Sequence, residues 1–238
     1  MSNFKPLSPK VVLGIVAHPD DLELGASGTM AYFANNGADV YYLILTDGSK
    51  GSKDKSLSPK ELIRIRQDEQ RSALKIIGGK SVIFLNYPDA ELEVTMKLKK
   101  DIVKVIREIK PDVVITIDPS MLYSAERGYI NHPDHRAAGQ ATLDSVFPLA
   151  RDHLSFPELY EAGLGPHKTS TVLLINFADG NHVIDITTTM DKKISALKAH
   201  PSQFNISKVA PFVHEMATEV GEKAGYEKGE QFIRIDIN

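Results

Sequence analysis

Two patterns of hydrophobic and polar positions alternate along the first two-thirds of the chain. Val11–Val16 is a nearly continuous apolar run that stops at Ala17-His18-Pro19, the pattern of a strand buried on both faces of a parallel sheet. Val40–Leu45, Val82–Leu85 and Val113–Ile117 behave alike, ending at Thr46-Asp47-Gly48, Asn86-Tyr87-Pro88-Asp89 and Asp118-Pro119. Each predicted strand thus delivers polar residues at its carboxyl end. Helical patterns lie between them. Ser58-Pro59-Lys60-Glu61 combines an N-cap hydroxyl, a proline at the first helical position and a reciprocal Glu, so a helix is expected from Ser58 to Gly78-Gly79. Leu98, Ile102, Val105 and Ile109 form one apolar stripe that stops before Pro111. A shorter helix is expected over Ser27–Asn35, closed by Gly37.

Alternating strands and helices imply right-handed crossovers and a mostly parallel sheet. The expected fold is therefore α/β, a Rossmann-like three-layer α/β/α sandwich. The second half is less regular. Thr171–Phe177, His182–Ile186 and Gln231–Ile237 read as strands, with helices near Thr189–Ala199 and Ala210–Ala224. Phe156–His167, rich in Pro and Gly, reads as a loop or lid over a pocket. No repeat or linker forces a boundary. One domain over 1–238 is expected, with a core at about 11–150 and a C-terminal half, about 151–238, completing the pocket.

Composition narrows the partners. The 238 residues are 42% hydrophobic and 25% charged, which excludes disordered and fibrous classes. Lys+Arg 28 against Asp+Glu 31 leaves a formal charge of -3, so no basic excess favours a nucleic-acid backbone or an anionic membrane. A small molecule is the expected partner. The chain has no cysteine, which removes disulfides, thiol nucleophiles and Cys-held metals. The first ten residues lack the apolar core of a secretion signal and no run is long enough to span a membrane, so a cytoplasmic protein is expected.

His-Pro-Asp occurs twice, as His18-Pro19-Asp20-Asp21 and as His132-Pro133-Asp134-His135. The first follows the first strand; the second precedes a helix expected over Arg136–Val146. Both belong on the carboxyl edge of the sheet, where open α/β sheets bind ligands. Zinc accepts imidazole nitrogen and carboxylate oxygen, and a catalytic site uses three protein ligands with one open position. His18, Asp21 and His135 supply such a set. Asp20 remains as a second carboxylate able to take a proton from water. His132 remains to hydrogen-bond an oxyanion or protonate a leaving nitrogen. Together these groups point to hydrolysis of an amide by metal-activated water.

The paired motif resembles the PIG-L/LmbE-like family of zinc-dependent N-acetylglucosaminyl deacetylases. Thr46-Asp47-Gly48 with Gly51, Arg66 with Glu69, Asn86-Tyr87-Pro88-Asp89, and Lys198-Ala199-His200-Pro201-Ser202-Gln203 resemble further family landmarks in the same order, over about 11–203. The resemblance implies zinc on His18, Asp21 and His135, with Asp20 as general base. It makes His132 the electrophilic or acid group, with Asp134 orienting its ring, and places Arg66 and Asp89 on sugar hydroxyls. Some members carry a Tyr or Arg immediately before the second motif; here Ile130-Asn131 stands there, with Tyr129 or Arg127 as substitutes. The loops look closest to chitooligosaccharide-type deacetylases, and relatives are often oligomers, so a homo-oligomer is expected.

The main reading is removal of acetyl from an N-acetylglucosamine-type sugar or its glycoside. One rival is an amidase on a larger N-acyl sugar or sugar–thiol conjugate, and another a non-catalytic binding protein on the same fold. His-Pro-Asp also marks J-domain co-chaperones, but there it lies between two helices. Gly25-Ala26-Ser27-Gly28 hints at a phosphate cradle, yet Asp20 and Asp21 beside it would repel phosphate. Plainer roles compete at single positions. His132 can be an outer group behind the ligands, Arg66 a solvated residue or a partner of Glu69, Asp89 and Asp47 turn residues, and His200 structural. His153, His167, His182 and His214 stay unassigned, and Lys50, Lys53, Lys55 and Lys60 read as a solvated face.

Overall fold

The computed structural model describes residues 4–125 and 128–237. Strand β1 (Val11–Val16) is followed by α1 (Asp21–Gly25), α2 (Ser27–Asn35), β2 (Asp39–Thr46), α3 (Pro59–Ile77), β3 (Ser81–Tyr87), α4 (Met96–Ile109) and β4 (Val113–Ile117). A hairpin of β5 (Tyr123–Ser124) and β6 (Tyr129–Ile130) leads to α5 (Pro133–Asp144) and a short α6 (Pro157–Glu161). The chain ends with β7 (Thr171–Ile175), β8 (His182–Asp185), α7 (Met190–Lys198), α8 (Ile206–Ala224) and β9 (Gly229–Asp236).

Seven strands form one sheet in the order β3-β2-β1-β4-β7-β9-β8. β1 to β4 and β7 run parallel, whereas β9 is antiparallel to both of its neighbours. Alternate strand residues feed two cores. Val12, Val16, Tyr42, Ile44 and Ile115 pack against α2, α3, α7 and α8, through residues such as Phe33, Leu74, Leu197 and Val213. Leu13, Ile15, Leu43, Leu45 and Val114 pack against Leu98, Ile102 and Ile106 of α4 and Ala138 and Ala141 of α5. Helices therefore cover both faces, giving three layers.

Local chemistry explains the elements that carry the site. Ser58 and Glu61 form the reciprocal capping box at the start of α3, and Gly78 closes it at φ 88°. Gly139 lets α5 lie on the sheet, because a Cβ there would stand 2.2 Å from the carbonyl oxygen of Ile117. The chain leaves β1 toward β2 and β3, then returns to β4 on the other side of β1. The loops after β1 and β4 thus flank the crevice where strand order reverses. The Phe156–His167 segment holds α6, a five-residue helix that sequence reading took as loop. Among the described residues, no helix is long and apolar enough to cross a membrane.

Candidate active site

The first loop turns sharply. Asp20 adopts φ 99° and ψ -21°, a left-handed conformation that costs a non-glycine residue energy. The turn sends two adjacent carboxylates apart. Asp21 Oδ2 accepts the His18 backbone N–H at 2.8 Å, while its Oδ1 lies 3.1 Å from His135 Nε2. Asp20 turns instead to Arg66, whose Nη2 donates to Asp20 Oδ2 at 3.1 Å.

The second loop opens α5. His132 is its N-cap, with Nδ1 accepting the Asp134 backbone N–H at 3.2 Å. A nitrogen that accepts carries no proton, so the neutral ring bears its N–H on Nε2. Burial and the positive charge of His18 push the His132 pKa below its ordinary value, which favours that neutral ring. Asp134 was expected to orient this ring, but its carboxylate faces the other way. Asp134 accepts the backbone N–H groups of Ala90 and Leu92 and meets His18 Nε2 at 3.1 Å. Asp89 Oδ1 also lies 3.1 Å from His18 Nε2, and Asp89 Oδ2 accepts the Lys50 N–H at 2.8 Å. Although burial opposes it, the bonds from Asp134, Asp21 and Asp89 push the His18 pKa up to about 12 in the ion-free protein.

Three donors converge between the loops. His18 Nδ1 is 3.2 Å from His135 Nε2 and 3.6 Å from Asp21 Oδ2, and His135 Nε2 is 3.1 Å from Asp21 Oδ1. Donors of a tetrahedral ion with bonds of about 2.0–2.1 Å stand roughly 3.3 Å apart, so this triangle suits such an ion. The outer carboxylates suit it too. Asp134 and Asp89 on Nε2 fix the His18 proton there and leave Nδ1 free to ligate. A second group, His18, Asp89 and His132, also clusters. Its chemistry is wrong, because His18 Nε2 and His132 Nε2 both carry protons in the arrangement described.

Arg66 is 3% exposed, so the solvated reading fails, and its guanidinium does not reach out toward a sugar. It donates to the carbonyl oxygens of Gly48 (2.9 Å) and Pro19 (2.8 Å) as well as to Asp20. Gly48, at φ 63°, leaves room for it, since a Cβ there would meet Arg66 Nη1 at 2.8 Å. Glu69 pairs elsewhere, accepting the N–H and hydroxyl of Ser202. Asp89, 4% exposed with both oxygens engaged, is likewise placed against His18 rather than solvent. Asp47 Oδ1 accepts the N–H groups of Ser49 and Asp89, tying two loops together. Of the substitutes before the second motif, Arg127 lies outside the described residues. The Tyr129 hydroxyl donates to Asn131 Oδ1 at 3.1 Å, and burial together with the Asp21 charge raises its pKa.

Burial pushes the Asp20 carboxyl up to about 7, with Arg66 pulling it down and Asp21 adding to the rise. For Asp21, burial is outweighed by His135 and His18, which hold it well below the usual carboxylate range. One carboxylate thus stays ionised while its neighbour is poised to exchange a proton near neutrality. Sequence reading missed the layer beneath. Glu23, Gln70, Lys193 and Glu230 are buried there, the first three as polar residues on buried helix faces and Glu230 at the start of β9.

Comparison with known proteins agrees with this geometry. The family profile PIG-L, described as GlcNAc-PI de-N-acetylase, matches residues 13–146. The chain is 34% identical over 229 residues to diacetylchitobiose deacetylase of Thermococcus kodakarensis, covering 94% of this chain and 83% of the relative. It is 28% identical over 252 residues to the 1D-myo-inositol 2-acetamido-2-deoxy-alpha-D-glucopyranoside deacetylase of Rhodococcus jostii, with 84% of each chain covered. Among solved structures, N,N'-diacetylchitobiose deacetylase from Pyrococcus horikoshii, complexed with its inhibitor MPG, is similar with a TM-score of 0.88 at 35% identity. That similarity covers 96% of this chain and 84% of the other. The profile takes in both His-Pro-Asp loops and more than half of the sequence, and the chain belongs to the PIG-L family of GlcNAc-PI de-N-acetylase.

Proposed function

We propose that this protein is a zinc-dependent hydrolase that removes the acetyl group from an N-acetylglucosamine-type sugar or its glycoside, with a β-linked N-acetylated disaccharide as the preferred size. The observation that carries this reading is the triangle of His18 Nδ1, His135 Nε2 and Asp21 beside an Asp20 whose pKa is about 7. The named substrates of the two relatives and of the solved neighbour support the sugar class.

His18, Asp21 and His135 would hold the ion, which when bound supplies Lewis acidity toward the acetyl carbonyl and an acidified water. Asp20 accepts a proton from the attacking water and later returns it to the departing amine nitrogen as the C–N bond breaks. Burial raises its pKa while Arg66 and the charge of a bound ion pull it down, a balance that suits a group which both takes and returns a proton. His132 donates its Nε2–H to the carbonyl oxygen as negative charge gathers there. Its Nδ1 is committed to the helix cap, so acquiring a second proton would break the bond from Asp134 N–H. His132 is therefore a hydrogen-bond donor in this scheme rather than the acid. Tyr129 feels the Asp21 charge, but its one hydroxyl proton is engaged by Asn131 Oδ1, so it has no part in this scheme. Asp134 and Asp89 hold the His18 ring, and Arg66 holds Asp20.

The test is acetate release by metal-loaded protein from N-acetylglucosamine, its β-linked dimer and analogues with bulkier N-acyl groups. Acetate from the dimer and little hydrolysis of bulky amides is the expected result. Preference for the bulky amides would favour the larger-acyl amidase. Elemental analysis should find about one transition metal per chain.

A further inference from the structure

The left-handed turn that aims Asp20 is held from below by a side chain with no contact to the reacting groups. Gln70, in α3, is fully buried. Its Oε1 accepts the backbone N–H of Asp20 at 3.0 Å, and its Nε2 donates to Glu23 Oε1 at 2.9 Å. The two contacts demand opposite ends of an amide, so the orientation of Gln70 is fixed by its neighbours.

Glu23 is itself anchored. Its backbone carbonyl, with that of Leu24, accepts from Lys193 Nζ, which also reaches Glu230 Oε1 at 2.6 Å. Glu230 in turn accepts the N–H groups of Gly28 and Thr29 at the start of α2. A chain of buried polar contacts thus runs from Asp20 through Gln70 and Glu23 into α7 and β9. Arg66 grips the carboxylate of Asp20, whereas Gln70 grips its backbone.

We propose that Gln70 is a positioning residue for the general base: its amide locks the Asp20 backbone in the left-handed turn, so that the Asp20 carboxylate stands where water is activated. The functional part of this inference rests on the deacetylase reading. Without Gln70, the Asp20 N–H loses its acceptor and a strained turn loses one of the contacts that sustain it.

The chemistry allows a reciprocal test. Gln70→Glu keeps the shape and the acceptor for Asp20 N–H but sets two carboxylates against each other. Adding Glu23→Gln restores a donor–acceptor pair with its polarity reversed. Gln70→Leu and Gln70→Glu are each expected to lower kcat at least tenfold, with KM within about twofold and metal content unchanged. The double exchange should bring kcat back to within about threefold of the starting protein. A crystal structure of Gln70→Leu should show residue 20 leaving the left-handed region or its carboxylate leaving Arg66, a readout that needs no substrate. If the unaltered protein hydrolyses no N-acetyl sugar, the deacetylase reading fails while that crystal structure still decides the role of Gln70. Unchanged kcat in folded, metal-loaded Gln70→Leu, a loss confined to KM, or no recovery in the double exchange would each overturn the proposal. Should Gln70→Leu not fold, the Gln70→Glu single variant and the exchange decide.

Discussion

Arg66 separates two accounts of the site, because a residue that binds sugar and one that holds the base fail differently. Its guanidinium is 3% exposed and serves Gly48 O, Pro19 O and Asp20 Oδ2. Arg66→Met strands two carbonyls and one carboxylate. Breaking a buried pair of this kind costs about 3 kcal/mol, or roughly 6–12 °C in Tm for a chain of this size. The charge matters separately. Asp20 sits at about 7 with Arg66 pulling it down, and losing an adjacent Arg raises a carboxyl by about 1–3 pH units. At pH 7.5 the ionised fraction would fall from about three-quarters to at most about one-quarter, a loss of at least threefold before any displacement of the carboxylate. A bound dication lowers Asp20 in both proteins and moves this loss to lower pH, so the displacement of the acid limb by about 1–3 pH units carries the argument rather than the fraction at any one pH. The assay is acetate release across pH, with kcat and KM separated. Arg66→Met should show kcat down, its acid limb moved to higher pH and KM little changed. Arg66→Lys should fall between, because an ammonium keeps the charge but cannot reach three acceptors in the same fork. A rise in KM with kcat and the acid limb unmoved would refute the reasoning and return Arg66 to the sugar.

Other substitutions separate metal binding from chemistry. Asp20→Ala should keep about one metal per chain and lose nearly all turnover, whereas His18→Ala or His135→Ala should lose the metal as well, which elemental analysis after dialysis will read. Full activity in metal-loaded Asp20→Ala would remove the base. Metal affinity should rise with pH: His18, pushed up to about 12 in the ion-free protein, must give up its proton to ligate. That is about tenfold per pH unit where His18 alone is protonated and steeper where His135 is protonated too, and a flat profile by chelator competition between pH 7 and pH 9 would refute it. The sign for stability is opposite, since a pKa raised on folding stabilises fully below about 6.5. The ion-free protein should therefore lose stability as pH climbs from about 6.5 toward 12, as melting curves will show. Gly139→Ala would place a Cβ 2.2 Å from Ile117 O, pushing α5 and its His135 off the sheet. A loss of about 1–3 kcal/mol with weakened metal binding is expected, and unchanged melting and affinity would contradict it.

The strands were the most legible part of the fold. Val11–Val16 and Val113–Ile117 coincide with their predicted bounds, because a strand covered on both faces writes its whole length in apolar residues. Helix α3 coincides as well, since its cap box and terminal glycine are local chemistry. Where local signals conflict, the reading slipped. Helix α8 begins at Ile206, not near Ala210, and carries Pro211 inside it, where the residue lacks the N–H of a regular helical turn. Helix α5 starts at Pro133, which puts His132 at its cap and turns Asp134 toward His18. No pattern in the sequence reports which way a carboxylate at a helix start will face. The partners of Arg66 and Gln70 were illegible for a related reason: both share the buried stripe of α3 with Leu62, Ala73 and Leu74, but only the return of the Gly48 loop and α1 over that helix decides what they hold. His200, read as structural, is fully buried with Nε2 3.4 Å from Glu23 Oε2.

The charges around His18 match those of the ion that the site would hold. Four carboxylates, Asp20, Asp21, Asp89 and Asp134, share one pocket with Arg66 and the imidazoles of His18, His132 and His135. In the ion-free protein, despite the cost of burial, the neighbouring carboxylates raise the pKa of both His18 and His135. While both are protonated, the imidazoles contribute two positive charges among these acids. A divalent ion displaces both protons and contributes the same two charges, so the pocket holds an unchanged net charge in either state. The carboxylates that bind the protons are thus the ones that orient and balance the ion. This is why Asp134 and Asp89 face His18 instead of solvent, and why the donor triangle already has edges of 3.1–3.6 Å.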